Sequence, residues 1–383
     1  MFAFQKECLG HYFEGKNGML NAPTGSGKTF ALGVPMMLAD KLKGDYKKGL
    51  KVLWITPLKA LSVDISNALQ EAADELETGW RVERRSGDIS SAKKAAQLKN
   101  SPDCLVTTPE SLHIMLARKG YATFFKYLDA VVVDEWHELL SSKRGVQVEL
   151  GLSRLKAIKP NIKIWGISAT IGNMPDAIDV LMGDERTRAN TAIVTSSIKK
   201  KLQIKTLLPT QMEDMPWAGH LGVRLLKKVL PIIEQNSSTL IFTNTRSQAE
   251  IWYQKLIDEF PDLAGRIALH HGSLGKEVRE WVESALHKGS LKAVVSTSSL
   301  DLGVDFRPVS AVIQIGSPKG IARFLQRAGR SGHSPEATSK IYFLPTNSLE
   351  IIESSALQRA IENDYIESRI PVVRAFDVLV QYL

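Results

Sequence analysis

Cysteine is nearly missing from this chain: Cys8 and Cys104 are the only two among 383 residues. Two thiols make neither a disulfide framework nor a four-thiolate zinc site, and no His/Cys cluster sits at metal-ligand spacing. Missing as well is any apolar run close to the ~18 residues of a membrane-spanning helix, and the first residues carry no signal-peptide pattern. These absences point to a reducing compartment and a soluble, cytoplasmic protein with no membrane partner. Charge is not strongly one-sided, since 49 Lys and Arg stand against 41 Asp and Glu for a net +8. That excess leans toward a polyanionic partner and says nothing of sequence specificity.

What is present is an ordinary globular composition, 44% hydrophobic and 23% charged, which supports a buried core. The length exceeds that at which single cores stop growing, so two domains are expected. Short β-rich runs alternate with helical stretches throughout, the pattern of an α/β fold with parallel sheets covered on both faces. Strands are predicted at 18–21, Val52–Ile55, Cys104–Thr107, Ala130–Val133 and 162–165. The series restarts with Thr239–Phe242, Ile267–His270, Ala293–Ser296 and 311–314. Each strand ends where a polar motif begins, and ligands of such sheets bind beyond the carboxyl ends of the strands. The expected domains are 1–185 and 218–345, joined by a Thr/Ser/Lys-rich connection at 186–217. Residues 346–383 read as helical and still periodic at the chain's last residue, the start of a further domain in a truncated piece.

The most informative motif is Ala22-Pro23-Thr24-Gly25-Ser26-Gly27-Lys28-Thr29, between a predicted strand and an apolar helix at 29–39. Thr24, Gly25, Ser26 and Gly27 form a loop whose glycines let successive N–H groups point at phosphates, where the helix N-terminus adds partial positive charge. Lys28 reaches the β- and γ-phosphates of a nucleotide, and the Thr29 hydroxyl holds Mg²⁺. Ala22 departs from the general pattern, which has glycine there. No second Lys-Thr phosphate loop follows, so one nucleotide would be shared between two similar domains.

Asp134-Glu135-Trp136-His137 follows the strand Ala130–Val133. Adjacent carboxylates there divide two tasks: Asp134 on Mg²⁺, and Glu135 as the base that deprotonates the attacking water. Ser168-Ala169-Thr170 sits at another strand end, placed to relay the nucleotide's state. In the second half, Gln326-Arg327-Ala328-Gly329-Arg330-Ser331-Gly332-His333 sets two arginines on one predicted helical face. Positive charge over the equatorial oxygens accelerates phosphoryl transfer by roughly 10³ to 10⁵. Arg330 is the first choice for that role, Arg327 the second, and Gln326 is counted with them as catalytic. Asp301 is expected to meet the ribose or the nucleotide-facing arginine, and Thr297 a backbone phosphate. Strand-end motifs around Pro57, Thr108, Thr245, Arg246 and His271 supply hydroxyls and backbone amides that bind phosphates without reading bases.

In this order the motifs resemble superfamily 2 helicases: phosphate loop, Thr56-Pro57-Leu58, Thr108-Pro109-Glu110, the Asp134 to His137 box, Ser168-Ala169-Thr170, and the box from Gln326 to Arg330. The stretches 54–61, 133–140, 143–147 and 330–333 resemble Lhr helicases, nearest to the bacterial ligase-associated DEXH-box branch. The resemblance implies two tandem RecA-like domains and then the approach to a winged-helix domain. ATP and Mg²⁺ are the implied cofactors. It implies single-stranded DNA or a 3′-tailed duplex as partner, 3′-to-5′ translocation with unwinding, and a role in DNA repair at the nucleoid with a DNA ligase or nuclease. Gln5 matches a glutamine that contacts adenine in such helicases, Arg144 falls in a matching stretch and joins the nucleic-acid track, and His333 stands where many members have a further arginine. Physics alone leaves DNA and RNA open. An RNA remodeller and a nucleotide-gated clamp without strand movement are the alternative readings.

Overall fold

The computed structural model describes all residues except 24, 45–46, 170, 199–200, 211–221, 302–308, 333–337 and 383. The expectations for Thr24, Thr170 and His333 therefore lie outside the described residues. The chain divides into two compact units, 1–198 with 368–383, and 199–367.

The first unit holds strands β1 (Asn17–Asn21), β2 (Val52–Ile55), β3 (Val82–Arg85), β4 (Cys104–Thr107), β5 (Ala130–Val133), β6 (Lys163–Ser168) and β7 (Thr191–Thr195) in the order β3-β4-β2-β5-β6-β1-β7. Every pairing is parallel. A parallel sheet is buried on both faces, which explains the uninterrupted apolar strands. In β2, Leu53 and Ile55 enter one core cluster while Val52 and Trp54 enter the other; Val131 and Val133 of β5 part from Ala130 and Val132 in the same way.

The second unit holds β8 (Leu202–Thr206), β9 (Thr239–Phe242), β10 (Ile267–His270), β11 (Ala293–Ser296), β12 (Ala311–Ile315) and β13 (Ser339–Leu344) in the order β10-β11-β9-β12-β13-β8, again all parallel. Its two core clusters flank the sheet with the same alternation, Ile241 against Leu240 and Phe242.

Two boundary expectations are corrected. The segment 186–217 is not a plain connection, because β7 pairs with β1 in the first sheet and β8 with β13 in the second. The region 346–383 is not one body: helix Ser348–Glu362 belongs to the second unit, whereas Phe376–Tyr382 belongs to the first.

Candidate active site

The phosphate loop leaves β1 and enters the helix Lys28–Lys43. Gly25 and Gly27 sit at φ +77° and +82°, left-handed backbone that a side chain would strain. Ser26 Oγ donates to Pro23 O at 2.7 Å, and Gln5 Nε2 donates to Gly27 O at 3.2 Å, so the helix Ala3–Phe13 braces the loop. Lys28 follows directly, its Nζ 3.8 Å from Glu135 Oε1, with both side chains nearly buried. That ammonium has no hydrogen-bond partner among the described residues. Thr29 stands in the same first turn.

β5 delivers the two acids to this point. Asp134 N donates to Ile55 O at 2.8 Å, while its carboxylate accepts from Glu135 N at 2.8 Å and from Trp54 Nε1 at 3.3 Å. Burial, and next the charge of Glu135, push the Asp134 carboxyl well above the usual range, with Lys28 opposing them. A cation at this carboxylate would reverse that balance. Glu135 occupies left-handed backbone at φ +47°, a strained conformation for a residue with a Cβ. His137 Nδ1 lies 3.5 Å from Glu135 Oε2 and accepts the Ala169 N–H at 3.3 Å; its Nε2 lies 3.6 Å from Glu138 Oε1. Burial holds the imidazole below its ordinary pKa despite these two acids. An Nδ1 that accepts a hydrogen bond belongs to a neutral ring, which leaves the proton on Nε2, facing Glu138.

These groups fit a nucleoside triphosphate with Mg²⁺. A buried ammonium without hydrogen bonds and a helix N-terminus suit phosphate oxygens. No set of three or more His, Cys, Asp or Glu able to cage a metal occurs among the described residues. Mg²⁺ is usually held by one or two carboxylates, water and substrate phosphates, and the Asp134 carboxylate at the loop fits such a share.

In the second unit the arginines separate. The helix Ile321–Ala328 ends before Arg330, which lies in the turn that follows; its carbonyl accepts from Val309 N at 3.0 Å as the chain bridges Ser331 to Val309. The expectation of one shared helical face is therefore corrected. Arg327 turns inward and is fully buried. Its Nε and Nη2 donate to the two oxygens of Asp301 at 2.7 and 3.0 Å, its Nη1 donates to Gln314 Oε1, and its guanidinium lies 4.7 Å from the Phe242 ring centroid. Asp301 therefore meets an arginine, one of its two expected partners, and three N–H groups of Arg327 are engaged inside the second unit. Arg330 is half-buried, and Gln326 is buried with its Nε2 lacking a hydrogen bond among the described residues.

The expected track residues stand at strand ends except Arg144, which lies in the helix Lys143–Ile158, and their conditions differ. Pro57 is buried between β2 and the helix Lys59–Glu75. The Thr108 hydroxyl donates to Ser111 Oγ at 3.3 Å and would have to change partner to meet a phosphate, whereas Thr245 Oγ1 caps its own helix by accepting from Gln248 N at 3.2 Å and keeps its proton to donate. Arg144 pairs with both oxygens of Glu110, at 2.6 and 3.2 Å. Arg246 pairs with Glu250 at 2.8 Å, and buried His271 lies 3.3 Å from the same carboxylate. Thr297 follows β11, its N–H donating to His270 O at 3.3 Å.

Residues 2–178 match the family described as DEAD/DEAH box helicase, and residues 222–334 match the helicase conserved C-terminal domain. The chain belongs to the DEAD/DEAH box helicases. This helicase core is 37% identical over 397 residues to an ATP-dependent helicase Lhr-Core protein 2 of Thermococcus barophilus, covering 99% of the chain and 46% of that relative. It is 30% identical to the Lhr helicase/uracil glycosylase of Escherichia coli, covering 96% of the chain and 27% of the relative. Among solved structures it is similar to Mycobacterium smegmatis helicase Lhr bound to ssDNA and AMP-PNP, with a TM-score of 0.85 and 30% identity over 100% of this chain and 50% of that one. The Lhr resemblance is thus borne out, and so is the pair of RecA-like domains. The chain spans about half the length or less of these relatives.

Sequence reading missed Gln314 and Phe242, which hold Arg327, and Arg369, which lies 3.9 Å from Glu138 and is held by Asn173. The polar Gln314 inside an apolar strand was the one available signal; the others are unremarkable in sequence.

Proposed function

We propose that this chain is the motor core of an ATP-dependent DNA helicase, coupling ATP hydrolysis to movement along single-stranded DNA. The observation that carries the reading is the nearly buried Lys28–Glu135 pair beside Asp134 at the phosphate loop. Lys28 and the loop amides bind the β- and γ-phosphates. Thr29 and Asp134 would hold Mg²⁺, which would neutralise developing phosphate charge when bound. Glu135 takes a proton from water as its oxygen attacks the γ-phosphorus; the bond to the β-phosphate oxygen breaks, and ADP and phosphate leave. Arg330, from the second unit, supplies charge to the equatorial oxygens, and Arg327 holds the Asp301 turn within that unit. Backbone amides at the strand ends carry the DNA phosphates.

Movement in the 3′-to-5′ direction, a role in DNA repair at the nucleoid, and a ligase or nuclease partner rest on the motif resemblance. The deciding experiment is ATP turnover with single-stranded DNA, matched RNA, or neither. Stimulation by DNA above RNA is expected. Equal stimulation by RNA favours a remodeller, and turnover indifferent to either strand refutes the motor.

A further inference from the structure

We propose that His270, held by Glu283, is a positioning residue for strand binding: it pins the turn that follows β11, and with it the phosphate contact expected of Thr297. The inference rests on the reading that this turn meets the nucleic-acid backbone. All the groups concerned lie in the second unit.

Strands β10 and β11 run side by side with His270 opposite Ser296, so their carboxyl ends release two polar segments together. The segment after β11 holds itself poorly. Ser298–Leu300 is one 3₁₀ turn, closed by Asp301 N donating to Ser298 O at 3.1 Å, and a turn this short has little stability of its own. Thr297 is half-exposed and Ser298 exposed, so the shape these two present to a ligand depends on what grips the turn from behind.

His270 supplies that grip. Its carbonyl accepts from Thr297 N at 3.3 Å and from Ser299 Oγ at 3.1 Å, and its Nδ1 lies 2.8 Å from the same Ser299 oxygen. On the other side of the ring, Nε2 lies 3.0 Å from Glu283 Oε1 on the helix Lys276–Lys288. A carboxylate only accepts, so the Nε2 proton points at Glu283 and fixes the ring plane, which leaves Nδ1 aimed at the Ser299 hydroxyl. The imidazole is 1% exposed, too deep to touch a strand itself, and acts through Ser299. The far end of the turn, Asp301, is held separately by Arg327. Releasing the His270 pin therefore loosens Thr297 and Ser298 while the Asp301 pin stays in place.

In the full chain, the concentration of single-stranded DNA that half-saturates ATP turnover is expected to rise about 5-fold in His270→Ala and in Ser299→Ala, the scale of one lost hydrogen bond. The kcat at saturating DNA and the ATP KM should hold within about two-fold. His270→Asn keeps a polar group facing Ser299 and should restore most of the affinity. In both alanine variants the Thr297 amide should exchange about 10-fold faster. Ser299→Ala removes a single oxygen, so the test stands even if His270→Ala fails to fold. Parental half-saturation or parental Thr297 exchange in Ser299→Ala overturns the proposal, as does a fall in kcat with half-saturation unmoved. If DNA does not stimulate the parent chain, the motor reading fails by itself, and Thr297 exchange still decides whether His270 pins the turn.

Discussion

Arg327 grips Asp301 through two N–H···O bonds, 2.7 and 3.0 Å long, inside the second unit, while Arg330, three residues on, has left the helix. Two arginines of one motif thus stand in different surroundings, and under the proposed function only Arg330 supplies charge to the nucleotide.

Their substitutions should separate accordingly. Arg327→Ala removes both close hydrogen bonds of the buried Asp301 carboxylate and leaves it only Arg323 at 3.8 Å, a loss of about 3 kcal/mol. Arg330→Ala should unfold within about 1 kcal/mol of the parent yet lose roughly 10³-fold or more in ATP turnover. Thermal unfolding and steady-state turnover of both variants check this; equal destabilisation would refute the division.

Glu135→Gln keeps shape and removes the base. ATP binding is expected to persist while turnover falls about 10²- to 10⁴-fold, and DNA affinity in the presence of ATP should rise as the bound state accumulates. Turnover at the parental rate would rule out Glu135 as the base.

Lys28→Ala should abolish ATP binding, because it removes the nearly buried ammonium at the loop. Nucleotide titration by fluorescence reads it, and retained affinity would move the phosphate site elsewhere.

Glu149 supplies a pH effect. Burial raises its carboxyl to about 7, and Oε1 has no hydrogen-bond partner among the described residues. A folded pKa above the unfolded value of 4.5 means the folded state holds the proton longer, so stability falls as pH rises from about 4.5 to about 7 and stays lowered above it. Glu149→Gln should therefore unfold at a higher temperature than the parent at pH 8 and match it near pH 4. Equal shifts at both pH values would contradict the assignment.

DNA affinity should fall with salt, at a logarithmic slope of about −0.7 per phosphate neutralised on a single strand. Anisotropy titrations across a salt series measure it, and a flat response argues against a backbone track.

By itself the sequence determined the strand-loop-helix at Lys28, the acid pair after β5, nearly all central strands and the restart into a second parallel sheet. Those features are local: a run of apolar residues buried on both faces, a glycine turn and a strand-end acid need no distant partner to be recognised. Edge strands β3, β7 and β8 escaped because half-exposed strands carry polar residues, as in Val82-Glu83-Arg84-Arg85, and so resemble loops. Only the tertiary structure decided that Arg327 is spent on Asp301, that Thr108 and Thr245 turn their hydroxyls on their own helices, and that Arg369 returns to Asn173 and Glu138. A guanidinium or hydroxyl binds whichever acceptor the fold brings within 3 Å or so, and chain spacing carries no record of partners 26 or 196 residues away.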